Sequence, residues 1–190
     1  MKSTWLVLAV LFPLFSLSQD KKSSPAFTAI SSLGFAAGES TAKPLFQVSG
    51  GVTYDRFFGG LGVGMDFYNY KSIPLFADWR FSFGKTRIGF LYANAGYNFS
   101  YDNKNEEEVT IFTTTNSFSG GFYADLGLGC RFRLNERHRL LLSAGYSQKN
   151  ISRKIGYTFP CVNPPCSEEV YEYHYSLGRL VTKLGWEFGR

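Results

Sequence analysis

Residues 118–134 read FSGGFYADLGLGCRFRL and alternate in polarity along their whole length. Phe122, Leu126 and Phe132 fall on one parity, whereas Asp125 and Arg131 fall on the other. Successive side chains of a β-strand point to opposite faces, so this stretch predicts one oily and one polar face. An ordinary globular strand has about 5–6 residues, whereas a tilted strand that crosses a bilayer needs about 9–11 in the hydrocarbon alone. The stretch therefore predicts a membrane-spanning strand.

The same alternation recurs in seven other segments: Phe27–Ala37, Leu45–Asp55, Leu61–Tyr70, Ile73–Phe83, Arg87–Tyr101, Arg139–Ile151 and a last strand that runs to Phe188. Short turns around Arg56–Gly59, Gly84–Thr86 and Asn135–His138 alternate with longer or less regular links at Gly38–Pro44, Asn69–Pro74, Asp102–Asn116 and Thr158–Tyr171. Outer-membrane barrels have an even strand number, short periplasmic turns and longer outer loops. The sequence predicts an all-β fold, an eight-stranded antiparallel up-and-down transmembrane β-barrel.

One segment conflicts with this pattern. Tyr171, Tyr173 and Tyr175 occupy the parity opposite to that of Leu180 in the last strand. Either a bulge near Gly178 exchanges the two faces, or the tyrosines point inward above the membrane. The pattern alone leaves both interpretations open.

The N-terminus has the features of a secretory signal. Lys2 precedes the apolar stretch Trp5–Leu17, and Ser16 and Ser18 form a small-x-small cleavage site. We expect residues 1–18 to be removed and residues 19–190 to form one barrel domain. The net charge of +5 is scattered along the chain, so no nucleic-acid partner is expected.

The inward parity carries many charges. An eight-stranded barrel is just wide enough for its own side chains to fill it, and buried charges are costly unless they are paired. We therefore predict a charge network that closes the lumen, formed by Asp66, Asp78, Arg80, Asp125, Arg131, Arg133, Arg179 and Lys183. The alternative is a narrow ion path lined by the cations, which the interleaved acids disfavour.

Three cysteines are present. Cys161 and Cys166 lie in the Pro-rich segment CVNPPC, and in an exported chain such a close pair predicts a local disulfide. A metal site is less well supported, because no second cysteine pair or histidine pair completes a ligand set. We predict neither a metal nor a cofactor. Cys130 falls on the oily parity and is expected to be unpaired and lipid-facing.

The layout of strands and links, together with the ending LVTKLGWEFGR, resembles the small eight-stranded outer-membrane proteins. These include the outer-membrane protein X type, the transmembrane half of the OmpA type and the PorT-like barrels. Leu184, Trp186 and Phe188 resemble an outer-membrane assembly signal, although Gly189 and Arg190 follow the last aromatic residue. The resemblance implies the outer membrane of a Gram-negative bacterium, with membrane lipid and lipopolysaccharide as neighbours. It implies little about activity, because one barrel serves many functions.

Two alternatives compete with a structural or binding role, and the first is a lipid-modifying outer-membrane hydrolase. His174 and Ser176 share a face, at a spacing that eight-stranded lipid A deacylases also use, but Glu187 lies about 40 Å away along an extended strand. A second alternative is a soluble ligand-binding barrel, which the uncovered oily parity disfavours. We expect a structural or binding role through the outer loops and no enzyme activity. The β-rich segment Val109–Asn116, VTIFTTTN, is expected to pair with a strand of a protein partner. The outer loops also carry carboxylates that could hold divalent cations against lipopolysaccharide: Asp102, Glu106, Glu107, Glu108, Glu168, Glu169 and Glu172.

Overall fold

A computed structural model describes residues 24–38, 41–101, 113–158 and 168–189. These residues form nine β-strands: β1 (Ala26–Ala37), β2 (Ala42–Tyr54), β3 (Phe57–Asp66), β4 (Ser72–Phe83), β5 (Gly89–Ser100), β6 (Thr113–Ser119), β7 (Gly121–Arg133), β8 (His138–Thr158) and β9 (Glu168–Gly189). Within the described residues, no helix is long and apolar enough to cross a membrane. The predicted signal segment, residues 1–18, lies outside the described part of the chain.

The strands form a closed antiparallel barrel. Each of β1 to β4 pairs with the next strand along the chain, β5 pairs with β7, β7 with β8 and β8 with β9, and β9 returns to β1. β6 and β7 both pair with β8 and together make one long strand that is interrupted at Gly120. Eight strands therefore surround the lumen, which confirms the predicted fold class.

The interruption at Gly120 corrects the interpretation of residues 118–134. Ser119 pairs with Ser152, but Tyr123 pairs with Lys149, so four steps on one strand oppose three on the other. This is a β-bulge, which exchanges the two faces of the strand. A side chain at Gly120 would collide with the backbone carbonyl of Asn98, so only glycine fits there. The prediction of unbroken alternation is wrong at this point, because Phe118 turns to the lumen side.

The outward parity forms an apolar belt. Large hydrophobic side chains are exposed on every strand from β1 to β5 and on β7 to β9, among them Phe27, Leu61, Trp79, Leu91, Leu126, Leu142 and Leu184. Such exposure is unfavourable in water and suits a hydrocarbon surround. The inward parity instead buries charged and amide side chains between two apolar clusters, which are Ile30, Phe58, Phe90, Tyr92 and Leu141 toward the short turns and Ala36, Leu45, Tyr68 and Val181 toward the outer end.

The link lengths are sorted less strictly than the sequence indicated. The short-turn end has links at Asp55–Arg56, Gly84–Ile88 and Leu134–Arg137. At the other end, Gly38–Thr41 and Phe67–Lys71 are no longer than the longest of these turns, Gly84–Ile88, whereas the links 101–112 and 159–167 are longer. Only the last two outer links therefore follow the predicted sorting. β8 ends at Thr158 and β9 begins at Glu168, so the strands take in only the two ends of the predicted last loop.

β8 and β9 extend beyond the barrel. β9 pairs with β1 only from Leu180 onward, and β8 pairs with β7 only as far as Lys149, yet the two strands continue together to Thr158 and Glu168. We call β6 with residues 150–158 of β8 and 168–176 of β9 the external sheet. Nine residues of strand correspond to roughly 30 Å along its axis. The β8–β9 register is continuous throughout, so no bulge lies near Gly178 and the tyrosines keep the inward parity.

Candidate functional site

The centre of the lumen holds a buried ion pair. Lys183 Nζ lies 2.5 Å from Asp125 Oδ2, and the same ammonium donates to Gln47 Oε1 at 3.1 Å. The hydroxyls of Tyr92 and Tyr123 donate to the two oxygens of Asp125 at 3.0 and 3.3 Å. Lys183 also sits 4.3 Å from the ring centre of Tyr92. These contacts come from β2, β5, β7 and β9, so the pair joins strands on several sides of the barrel.

A second pair lies nearer the short turns on β4. Arg80 binds Asp78 with an N–O distance of 2.8 Å, and Ser49 on β2 donates to the same carboxylate at 2.7 Å. The Arg80 guanidinium lies 5.8 Å from the ring centres of both Phe58 and Phe90. Two aromatic faces therefore enclose the cation while a carboxylate neutralises it.

The outer end of the lumen is closed by Asp66 with two cations. Arg179 and Lys149 both pair with its carboxylate, the lysine at 3.4 Å. Lys149 is fully buried and also donates to the backbone carbonyls of Tyr68 and Tyr70 at 2.7 and 2.8 Å. The lysine therefore ties β8 to the β3–β4 link. This link covers the lumen beneath the external sheet.

The short-turn end is built around Glu187. Its carboxylate pairs with Arg131 at 3.0 Å and with Arg139 at 2.5 Å. Arg131 also donates to Ser82 at 2.9 Å. Arg133 lies two residues further along β7 and is exposed, and its Nε donates to the backbone oxygen of Asn135 at 3.4 Å.

The structure thus places seven of the eight predicted lumen residues in four ion-paired groups and leaves Arg133 at the rim. It adds Lys149, Glu187 and Arg139 to the ionic groups, together with the uncharged Gln47, Tyr92 and Tyr123. Lys149 and Glu187 lie on the inward parity of the sequence, so that parity was the signal for both. Arg139 stands at the very start of β8, where alternation gives little guidance. The void between Arg80, Tyr92 and Lys183 has a volume of about 10 Å³, which is about enough for one water.

In the external sheet the apolar residues lie on the lumen side and the polar residues on the outer side, which is the reverse of the barrel. Its lumen-side face carries Tyr173, Tyr175, Ile155 and Phe118, whereas the opposite face carries serine, histidine and charged residues. Tyr70 from the β3–β4 link lies 5.5 Å from Phe118 and 5.4 Å from Tyr175, measured between ring centres. The aromatic side therefore faces the lumen mouth, and we call it the aromatic face.

Burial raises the pKa of Tyr70, and the hydrogen bond and negative field of Tyr175 act in the same direction. Arg153 opposes this shift, and its guanidinium stands 5.6 Å from the ring centre of Phe118. The cluster at the lumen mouth is therefore partly shielded from solvent, and it is rich in aromatic rings with one cation between them. Such a surface combines apolar area with hydrogen-bonding groups.

His174 and Ser176 lie on the opposite, polar face and do not bond to each other. His174 Nδ1 is 2.8 Å from Ser152 Oγ, and Ser176 accepts a hydrogen bond from Gln148 at 3.0 Å. Glu172 Oε1 is 3.9 Å from His174 Nε2 and also pairs with Lys154 at 3.4 Å. The histidine side chain is 74 % exposed, and in this arrangement it forms cross-strand contacts of an ordinary solvated sheet face.

The remaining predicted features divide between described and undescribed segments. Cys130 is an exposed free thiol on the outward face of β7, as predicted. Cys161 and Cys166, with the predicted disulfide, lie outside the described residues, as do Asp102 and Glu106–Glu108. Glu169 accepts a hydrogen bond from Tyr171 at 3.0 Å. Among the described residues, no group of three or more histidine, cysteine or acidic side chains is arranged to hold a metal.

Comparison with known proteins places the fold. No protein-family model and no curated protein matches the chain. The outer membrane protein OprG from Pseudomonas aeruginosa is similar in structure, with a TM-score of 0.57 and 12 % identity over 88 % of this chain and 97 % of OprG. A major outer membrane protein from Thermus thermophilus gives a TM-score of 0.55 and 14 % identity, over 88 % of this chain and 100 % of that protein. The outer membrane protein AlkL gives 0.50 and 9 %, over 92 % and 94 %.

The fold and the apolar belt together define a small transmembrane β-barrel of the outer-membrane type. Within that class, this chain combines a lumen closed by ion pairs with an external sheet that is aromatic on one side. A soluble ligand-binding barrel would instead direct its apolar parity inward, which is the reverse of the arrangement found here.

Proposed function

We propose that this protein is an outer-membrane binding barrel whose closed transmembrane part presents the external sheet to a protein partner outside the cell. The aromatic face carries this proposal. Tyr171 and Tyr173 are 48 % and 45 % exposed there, on strands that have already left the apolar belt. Protein interfaces are enriched in tyrosine, phenylalanine and arginine, and tyrosine and arginine are among the residues that carry most of the binding energy.

A lipopolysaccharide ligand held through divalent cations is the weaker candidate. Glu169 and Glu172, the acids of the external sheet whose side chains are described, already bond to Tyr171 and Lys154. Their carboxylates are therefore partly satisfied within the sheet. In this proposal, outer-membrane lipid and lipopolysaccharide surround the apolar belt. The ligand of the external sheet is a protein.

The lumen favours binding over passage of solutes. Four carboxylates and their cations fill it in successive layers, from Asp66 at the outer end to Glu187 at the short-turn end. We therefore propose a barrel without a wide pore. We also propose a non-catalytic role, because His174 and Ser176 contact Ser152 and Gln148 rather than each other. In planar bilayers the purified protein is expected to give no steady conductance, and a continuously open channel would refute the closed lumen.

The partner surface is tested by photo-crosslinking in intact cells. A photoreactive amino acid replaces Tyr173 on the aromatic face, and in a matched control it replaces His174 on the polar face of the same strand. We expect a protein adduct of defined mass from position 173 and a much weaker one from position 174. Equal adducts from both positions, or none from either, would contradict binding through the aromatic face.

A further inference from the structure

At its short-turn end, around the Glu187 group, the lumen widens into a basin that has no part in the proposed function. Its volume is about 810 Å³. The charged residues that line it come from the turns and from the ends of β7 and β8: Asp55, Arg87, Arg131, Arg133, Glu136 and Arg139. In outer-membrane barrels the short turns face the periplasm, so this basin opens toward that compartment.

Positive charge accumulates on one wall of the basin. Arg133 on β7 is in register directly opposite Arg139 on β8, and like charges directly opposite each other destabilise a sheet. Glu187 lies beneath and bridges Arg131 to Arg139, but its carboxylate does not reach Arg133. The Nε of Arg131 is buried with no hydrogen-bond partner among the described residues. That buried atom is out of reach of a ligand, but Arg133 is exposed and, among the described residues, donates only its Nε, to the Asn135 backbone oxygen. The terminal nitrogens of the Arg133 guanidinium therefore remain available to a ligand.

The opposite wall is held in an unusual backbone conformation. Arg87 has φ 54° and Asp55 has φ 52°, both in the left-handed region that residues other than glycine rarely adopt. Their side chains form an ion pair of 2.6 Å, and Arg87 also donates to the Asp55 backbone oxygen at 3.0 Å. Left-handed residues persist where surrounding contacts fix them, and they concentrate at functional sites.

We propose that the basin binds an oxyanion, a carboxylate or phosphate group, which bridges Arg133 and Arg139. Four arginines line the basin, against the carboxylates of Asp55 and Glu136 and that of Glu187 beneath them. The planar guanidinium fork matches the geometry of both oxyanions, and an anion between the two opposed arginines removes their repulsion. The group belongs either to a soluble periplasmic solute or to the phosphate of an inner-leaflet lipid headgroup.

The test measures binding of inorganic phosphate and of citrate to the refolded full chain in a nonionic detergent, by titration calorimetry at constant ionic strength. Arg133→Gln removes the guanidinium at the rim, where the side chain is exposed and its loss leaves the folded barrel intact. Arg56→Gln is the matched control, because Arg56 is an exposed arginine of the neighbouring β2–β3 turn that does not line the basin. Both variants have the same net charge.

We expect saturable binding that weakens about tenfold or more in Arg133→Gln, the effect of one lost charge-assisted hydrogen bond, and stays unchanged in Arg56→Gln. Absence of saturable binding of both anions, or equal weakening in the two variants, overturns the proposal. Repeating the titration in vesicles identifies the source. If the ligand is a headgroup, phosphatidylglycerol competes with added phosphate, whereas a neutral glycolipid without phosphate does not. If the ligand is a soluble solute, the affinity for added phosphate is the same in both kinds of vesicle.

Discussion

Replacing Lys183 by methionine tests the central ion pair directly. The substitution keeps most of the side-chain volume and removes the ammonium that lies 2.5 Å from Asp125 and 3.1 Å from Gln47. Asp125 then stays buried, and within the described part of the chain the hydroxyls of Tyr92 and Tyr123 are its remaining side-chain donors. Breaking one partner of a buried pair costs about 3–5 kcal/mol, and the two tyrosine hydrogen bonds place the expected loss near the lower limit, at about 3 kcal/mol.

The double variant Lys183→Met with Asp125→Asn separates the pair from its surroundings. The double variant leaves no uncompensated charge. We therefore expect its loss of unfolding free energy to be smaller than the sum of the losses of the two single variants, by about 2 kcal/mol or more. The measurement is urea unfolding in lipid vesicles, followed by the fluorescence of Trp79 and Trp186, which are exposed on the lipid-facing surface. The unfolding free energy is obtained by linear extrapolation.

The exposed pair between Lys154 and Glu172 in the external sheet provides the control. Its atoms are 3.4 Å apart, and about half of each side chain is accessible to solvent. Lys154→Met is expected to cost about 0.5 kcal/mol or less. The reasoning is refuted if Lys183→Met costs no more than Lys154→Met, or if the coupling with Asp125 is below about 0.5 kcal/mol.

Two further perturbations test the apolar belt and the lumen mouth. Leu126→Arg puts a charge on the outward face of β7, where the side chain is 65 % exposed, and is expected to lower the unfolding free energy in vesicles by about 2–4 kcal/mol; a loss below about 1 kcal/mol would show that this position does not meet hydrocarbon. Burial raises the pKa of Tyr70, so the unfolded chain ionises first and stability is lost as the pH rises above about 10. Tyr70→Phe is expected to reduce this alkaline loss in unfolding experiments at pH 9 to 11, and an unchanged pH profile would count against the burial of Tyr70.

Strand alternation in the sequence was sufficient to predict the barrel and the direction of most side chains. It failed at Phe118, because a bulge at Gly120 changes the count of residues on one strand without changing their composition. It also left the direction of Tyr171, Tyr173 and Tyr175 open. Inward parity means polar only inside the membrane, and above it the external sheet carries its aromatic residues on that same parity.

Which charged residues pair with each other in the lumen could not be predicted from the sequence, for a different reason. Parity gives the face of each residue but not its height along the barrel axis relative to residues on other strands. Lys183 and Asp125 are on β9 and β7, which are not adjacent, and they meet only because the register of every intervening pair fixes their heights. Arg133 shows the same limit, since its inward parity is correct but its height places it at the rim rather than in the network.

The continuous register of β8 and β9 has a consequence for how such a protein changes over evolutionary time. Because no bulge separates the external sheet from the barrel, the two share one alternation across Leu177 and Gly178. Inserting or deleting residues in pairs on both strands lengthens or shortens the sheet and keeps the aromatic rings above the lumen mouth. A single inserted residue would turn those rings to the other side. Insertions and deletions in β8 and β9 are therefore constrained to even numbers of residues, while the distance that the external sheet extends above the membrane is free to vary.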